Sequence, residues 1–462
     1  MSSTASERKI FGTDGVRGVA NVEPVTAETA LRLGRAAAHV FKKRMPVARG
    51  HGRHKIVIWK DTRLSGYMLE NAIASGILSM GVDVLLIGPL PTPGVAYITR
   101  SLRADAGIVL TASHNPYEDN GIKFFRDNGY KLDDAIEAEI EHLVFSGEIE
   151  NIRPTAGEIG KAMRIDDALG RYVEFAKAAF PKGMTLEGLR VIVDAGHGAT
   201  YKSTPCVLHE LGAQVTAMNN TPDGKNINKG CGSTFPEIIC SYVTQIGADV
   251  GISHDGDGDR VLLCDEGGVL VDGDDVLAIT AVDWLSRGAL KKNTLVATVM
   301  SNLGLDHTIW QAGGHVVRTQ VGDRYVLEEM LKGDYNVGGE QSGHMIFRDF
   351  TTTGDGIVSA LQVLRIMMDT GKPLGKLRQV VTKFPQVVVN VKVREKPSWD
   401  TVPDVQTLVK EAEATLGTEG RVLLRYSGTE PKARLLIEGR NGDEIQAMAD
   451  KIATRIKEKI GA

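Results

Sequence analysis

Cysteine is scarce in this sequence. Cys206, Cys231, Cys240 and Cys264 are the only four, and none shows Cys-x-x-Cys spacing. This argues against a disulfide framework and a structural zinc site, and reduced thiols point to a cytoplasmic protein. No uninterrupted apolar run is long enough to cross a bilayer, so no membrane is expected as a partner. The start, MSSTASERKIFG, is polar and lacks the apolar core of a secretion signal. An excess of positive charge is missing as well. With a net charge of −4, broad nucleic-acid binding is not expected, and any anion affinity must come from local clusters.

What the chain does have is length and repetition. Its 462 residues exceed one compact core and imply three or four domains. KIVIWKD (55–61), RVIVDAG (190–196) and TLVATVM (294–300) are β-branched runs typical of buried strands. Each leads into a helix-like stretch that closes on glycine, then a second strand, a second helix and a third strand-like segment. Aligned on Asp105, Asp249 and Asp334, the eighth residue onward is Ser113, Asp257 and Ser342. Three polar loops thus follow three equivalent strands, where α/β sheets collect ligands. The predicted fold is α/β: three related α/β domains with mixed sheets around a central cleft, plus a smaller C-terminal α+β domain. The boundaries are read as 1–165, 166–270, 271–384 and 385–462. In the last segment, FPQVVVNVKV and RVLLRYSGTEPKARLLIEG read as antiparallel strands, flanked by two amphipathic helices.

SHDGDGDR (253–260) spaces Asp255, Asp257 and Asp259 with glycines. Three carboxylates around one point offer hard oxygen ligands, suited to Mg²⁺ or Ca²⁺. An EF-hand competes, because Glu266 falls at its twelfth position, although Arg260 stands where that loop needs glycine. A plain hairpin with Asp-Gly turns is the other alternative. Mg²⁺ keeps coordination positions for water and phosphate. TASHNP (111–116) presents Ser113 and His114 at a strand end, and Lys123 follows downstream. A phosphate on Ser113 would be offset by such cations; a simple turn serine is the competing view. FGTDGVRG (11–18) adds Arg17 as a phosphate clamp. GGEQSGH (338–344) sets Glu340, Ser342 and His344 at alternate positions, which an extended backbone would place on one side. RYSGTEPKAR (425–434) combines Arg425, Ser427, Gly428, Thr429 and Arg434 into a phosphate nest or a surface hairpin.

In this order and spacing, TASHNP, DGDGDR, GEQSGH and RYSGTEP resemble the α-D-phosphohexomutases over nearly the whole chain. FGTDGVRG and the glutamine of GGEQSGH resemble the bacterial branch acting on glucosamine phosphates. The resemblance implies reversible conversion of glucosamine 6-phosphate to glucosamine 1-phosphate, with glucosamine 1,6-bisphosphate as intermediate and activator. It implies phosphoserine at Ser113, and one Mg²⁺ per subunit on Ser113, Asp255, Asp257 and Asp259. Arg17, His114, Lys123 and Arg260 would neutralise the transferring phosphate, with Lys123 and His344 the candidates for acid/base work. Glu340, Ser342 and His344 would hold the sugar; Arg425, Ser427, Gly428, Thr429 and Arg434 would grip the unreacting phosphate. A small phosphosugar is the expected partner, with a homodimer as the assembly. Phosphomannomutase/phosphoglucomutase activity on the same scaffold is the alternative, and a calcium-dependent binding module is the alternative of another class.

Overall fold

The three β-branched runs become interior strands of three mixed sheets. The computed structural model describes residues 10–12, 14–44, 52–427 and 431–462. Lys55–Lys60 lies between Asp83–Pro89 and Ala106–Leu110, both parallel to it. Arg190–Asp194 lies likewise between Gln214–Met218 and Val250–His254, and Thr294–Thr298 between His315–Thr319 and Val337–Gly339. In every unit a fourth strand returns antiparallel to the third: Asp119–Arg126, Val261–Asp265 and Met345–Phe347. These antiparallel returns make the sheets mixed. The first sheet is widened by Phe11–Gly12, Gly15–Val19 and Ala162–Arg164, the second by Leu270–Val271.

Continuous apolar runs suit strands covered on both faces. Ile56 and Ile58 enter one core with Leu33, Leu69 and Ile73 from the helices Ala27–Arg44 and Ser65–Leu78. Val57 and Trp59, on the other side of the pleat, enter a second core shared with Tyr172, Val191 and Leu295. That second core runs through all three units and packs them into one body. Trp59 is fully buried within it.

The C-terminal segment keeps its own core. Gln386–Lys392, Lys432–Glu438 and Arg421–Tyr426 form an antiparallel sheet in that order. The helices Pro403–Leu416 and Gly442–Ile460 cover it with Val405, Ile445, Ile452 and Ile456. This small α+β unit docks on the third one, where the Arg421 guanidinium donates to the Ser301 carbonyl at 2.6 Å.

Candidate active site

Ser113, Asp257 and Ser342 each stand three residues past the end of the third strand of their unit, at Leu110, His254 and Gly339. The loops converge. Ser113 is buried, and its Oγ donates to Asp255 Oδ2 at 2.6 Å across 142 residues of chain. Its backbone is left-handed, with φ of 51°, a conformation uncommon for serine.

The aspartates occupy the connection of an antiparallel hairpin, Val250–His254 with Val261–Asp265. A hairpin is therefore present, but its side chains point together: one oxygen from each carboxylate lies within 4.8 Å of the others. Asp255 Oδ1 accepts from the N–H groups of Gly258 and Arg260 at 3.1 and 3.2 Å. Asp257 Oδ2 accepts from Thr92 Oγ1 at 3.0 Å. Asp257 Oδ1 and Asp259 Oδ1 are buried without a hydrogen-bond partner among the described residues. Orphaned buried oxygens are costly, and a hard divalent cation with oxygen ligands satisfies them. The residues fit such an ion. They do not form an EF-hand, because strands flank the loop, and Glu266 accepts from Gly375 N at 3.0 Å beyond the far end of the second strand. Gly258 supplies the left-handed turn, with φ of 72°. Gly256 supplies room: a Cβ there would lie 2.6 Å from the Ser113 carbonyl oxygen.

Burial, then repulsion from its two partners, pushes the Asp255 carboxyl well above the ordinary range; burial and Asp257 also raise Asp259. Burial works the same way on Asp257, but Lys123 and hydrogen bonds outweigh it and hold that carboxyl down. Such uneven affinities for protons are expected where like charges share a site.

Lys123, Arg17 and Arg260 gather beside the aspartate loop and Asp14. Lys123, on the return strand of the first unit, pairs with Asp14 Oδ2 at 2.8 Å and lies 3.6 Å from Asp257 Oδ2. Burial opposes its charge, yet Asp14 and Asp257 raise its pKa overall, so it stays an ammonium. Arg17 pairs with Asp14 at 3.0 Å. Arg260 Nη1 lies 3.2 Å from His114 Nδ1, which is 3.5 Å from Ser113 Oγ. One expectation needs correction. Burial, with Arg260 and Arg17 alongside, lowers the His114 pKa to about 4, so the ring is neutral near pH 7 and adds no positive charge.

The GGEQSGH segment is also not extended. Gly343 N donates to the Glu340 carbonyl at 3.0 Å and Glu340 N to the His344 carbonyl at 2.9 Å, closing a tight hairpin. Glu340 and His344 are buried side by side, while Ser342 is exposed at the turn. Glu340 accepts from Gly322 N at 3.1 Å. His344 Nε2 lies 3.8 Å from Asp259 and 3.7 Å from Asp323, and neither ring nitrogen has a hydrogen-bond partner among the described residues. An isolated bridge between Arg260 and His344 ties this loop to the aspartate loop.

In the C-terminal unit, Arg425, Lys432, Arg434 and Asn390 line a cavity of about 200 Å³ that Met300 of the third unit helps to close. Arg425 Nη2 is 3.9 Å from Met300 Sδ. Ser427 is buried, its N–H donating to the Lys432 carbonyl at 2.8 Å. Gly428 and Thr429 lie outside the described residues.

Several participants escape sequence reasoning. Asp14 gathers Arg17, Lys123 and Lys131, and Lys131 Nζ reaches Asp323 of the third unit at 2.5 Å. Asn228 crosses from the second unit to the serine loop. Asp14 stands inside FGTDGVRG, a motif noticed only for its arginine. Asp323 and Asn228 carry no local signal.

Among the described residues no helix is long and apolar enough to cross a membrane. Family models for the phosphoglucomutase/phosphomannomutase domains match in order: α/β/α domain I at residues 8–150, domain II at 170–268, domain III at 272–384 and the C-terminal domain at 388–455. The phosphoglucosamine mutase of Geotalea daltonii is 57% identical over 454 residues, covering 98% of this chain and 99% of the relative. That of an Anaeromyxobacter species is 56% identical over 458 residues, covering 98% and 96%. Among solved structures, a phosphoglucomutase/phosphomannomutase family protein from Burkholderia thailandensis superposes with a TM-score of 0.79 at 22% identity, covering 98% of this chain and 99% of that one. The Aspergillus fumigatus N-acetylphosphoglucosamine mutase, solved with GlcNAc-6P and magnesium, gives 0.68 at 20% identity, covering 97% and 96%. From its first sheet to its C-terminal unit, the chain belongs to the phosphoglucomutase/phosphomannomutase family.

Proposed function

We propose that this chain is an isomerase that interconverts glucosamine 6-phosphate and glucosamine 1-phosphate by way of a phosphoserine at Ser113. The observation that carries the reading is the 2.6 Å contact between Ser113 Oγ and Asp255 inside a buried group of three carboxylates. A serine that donates to a buried carboxylate has a site for an anionic group only if cations are close, and Lys123 and Arg260 are. The name shared by relatives at 57% identity over nearly full length supports the choice of sugar.

The chemistry is phosphoryl transfer, which needs alignment and charge neutralisation more than covalent machinery. The bond from Ser113 Oγ to phosphorus breaks as the free hydroxyl of the bound sugar phosphate forms its own bond to phosphorus. The hydroxyl proton passes to a base, proposed here as His344, whose ring nitrogens have no hydrogen-bond partner among the described residues. The resulting glucosamine 1,6-bisphosphate turns over in the site and returns its other phosphoryl group to Ser113. Arg17, Lys123 and Arg260 offset the moving charge, while neutral His114 orients the serine loop. Asp255, Asp257, Asp259 and phosphorylated Ser113 are the proposed ligands of one Mg²⁺ per subunit, which when bound adds positive charge beside the phosphoryl oxygens.

Glu340, Ser342 and His344 are proposed to hold the sugar, and Arg425, Ser427, Gly428, Thr429 and Arg434 the phosphate that is not reacting. The division into units 1–165, 166–270, 271–384 and 385–462 is proposed with these roles, the strand Leu270–Val271 straddling the second junction. A cytoplasmic setting is proposed too, supported by four free cysteines. The proposed assembly is a homodimer, which sedimentation decides.

The test is comparative turnover of glucosamine, glucose and mannose phosphates, with intact-mass measurement of the protein. Preference for the glucosamine phosphates, with one phosphate on Ser113, is expected. Faster turnover of glucose or mannose phosphates would move the chain to the other activity of this scaffold. Binding of Ca²⁺ with no turnover of any sugar phosphate would remove the enzymatic reading.

A further inference from the structure

The loop that carries Ser113 is gripped from behind by two side chains from different units. Arg63, fully buried, donates through Nη2 to the carbonyl oxygens of Ser113 at 3.1 Å and Asn115 at 2.6 Å. Asn228, from the second unit, donates through Nδ2 to the same two oxygens at 2.9 and 3.0 Å. Each carbonyl therefore has one donor from its own unit and one from its neighbour. The N–H of Ser113 is held as well, donating to Thr111 Oγ1 at 2.9 Å. Arg63 is itself fixed by Asp61, through both its backbone N–H at 2.9 Å and a guanidinium ion pair. Asp61 is buried just past the end of the strand Lys55–Lys60.

These contacts have a shared target. Ser113 sits in the left-handed region at φ 51°, where a side chain with a Cβ persists only if its surroundings over-determine it. The same conformation turns Oγ toward Asp255. None of the groups in the grip touches Oγ, so their role lies in geometry. We infer that Arg63 and Asn228 are positioning residues, which clamp the carbonyls of Ser113 and Asn115 so that Ser113 Oγ faces the aspartate loop in line for transfer. Because one donor comes from each unit, the clamp also sets the register of the first unit against the second. This inference rests on the reading of Ser113 as the phosphoryl carrier.

The test compares wild type with Asn228→Ala and with Arg63→Lys, which keeps the charge opposite Asp61 but lacks the planar fork. Turnover and Ser113 phosphate are measured first on the wild-type enzyme. Misplacement of a reacting group by about an ångström costs on the order of a hundredfold in rate. Asn228→Ala is expected to lower kcat by roughly ten- to a hundredfold while KM and Mg²⁺ affinity stay near wild type. The rate at which glucosamine 1,6-bisphosphate phosphorylates Ser113 should fall by the same factor. Arg63→Lys should show the same split with a smaller fall. A buried asparagine with a merely structural role would lower the melting temperature and leave kcat per folded molecule unchanged, and that result overturns the clamp. So does a variant whose KM rises at constant kcat. If Asn228→Ala does not fold, Arg63→Lys decides alone by the same two readouts. A wild-type chain without turnover removes the reading of Ser113 and the clamp together; active wild type with two unaffected variants removes the clamp only.

Discussion

Arg425 and Arg434 face each other as register partners across the strands Arg421–Tyr426 and Lys432–Glu438. Like charges directly opposite destabilise a sheet, and burial together with Arg434 lowers the Arg425 pKa. A phosphate held between them, as proposed, would relieve the repulsion, since two guanidinium forks can share its oxygens. Charge-assisted bonds contribute about 1.5–3 kcal/mol each. Arg425→Ala should weaken glucosamine 6-phosphate and glucosamine 1-phosphate alike, by roughly ten- to a hundredfold. Its melting temperature should be no lower than that of wild type. Steady-state kinetics in both directions, beside a melting curve, make the comparison; loss of affinity for one phosphosugar alone contradicts a clamp shared by both orientations.

Ser113→Ala removes the proposed phosphoryl acceptor and the hydrogen bond to Asp255. Turnover should be abolished, with melting temperature near that of wild type. Mass spectrometry of the active wild-type enzyme should find one phosphate, lost in the variant. Full activity in protein carrying no phosphate, with no bisphosphate added, sinks the assignment.

Stripping divalent metal with EDTA should stop turnover, and Mg²⁺ should restore it. Asp257→Asn should raise the Mg²⁺ concentration needed for half activity and slow transfer by about 10²–10³, the usual loss when one element of charge stabilisation is removed. Titration of activity against Mg²⁺ for both proteins is the measurement. Metal-independent turnover in the stripped enzyme would falsify the ligand set.

Asp274 gives a pH signature away from the site. It is buried in the first turn of the helix Gly273–Ser286 and accepts from Asn302 N at 2.8 Å. Burial, followed by repulsion from Asp272, raises its pKa to about 7. Between the ordinary carboxylate pKa of about 4 and pH 7, the native state holds a proton that the unfolded chain has released. Stability from this group is present at low pH and falls as pH rises through about 7. At ~1.4 kcal/mol per unit the whole change is on the order of a few kcal/mol. Asp274→Asn keeps an acceptor for Asn302 and should flatten this slope, melting higher than wild type at pH 8 and close to it near pH 4. Parallel melting curves for the two proteins across that range would contradict the shift.

The cluster of three carboxylates was legible because alternating aspartate and glycine is a local pattern, and the place of Ser113 because it follows a β-branched run at a strand end. The repeat was legible for the same reason: strand, helix and glycine recur at intervals the eye can align. The extended reading of Glu340, Ser342 and His344 failed because alternation implies one face only in a strand, and the backbone here turns at Gln341–Gly343. His114 lost its expected charge to burial and to Arg260, 146 residues away. Asn228 and Asp323 were invisible because each reaches across to the first unit, Asn228 to Ser113 and Asp323 to Lys131, and no local spacing encodes a contact made only after the sheets have packed.

The common position of Ser113, Asp257 and Ser342 has an architectural consequence. Each loop hangs from a strand whose place is set by its own sheet, so its chemistry can drift while the other two keep theirs. One βαβαβ frame, used three times, thus presents three chemically different loops to a common point. The third loop can accordingly differ in sequence without moving the strands that carry Ser113 and the acidic cluster.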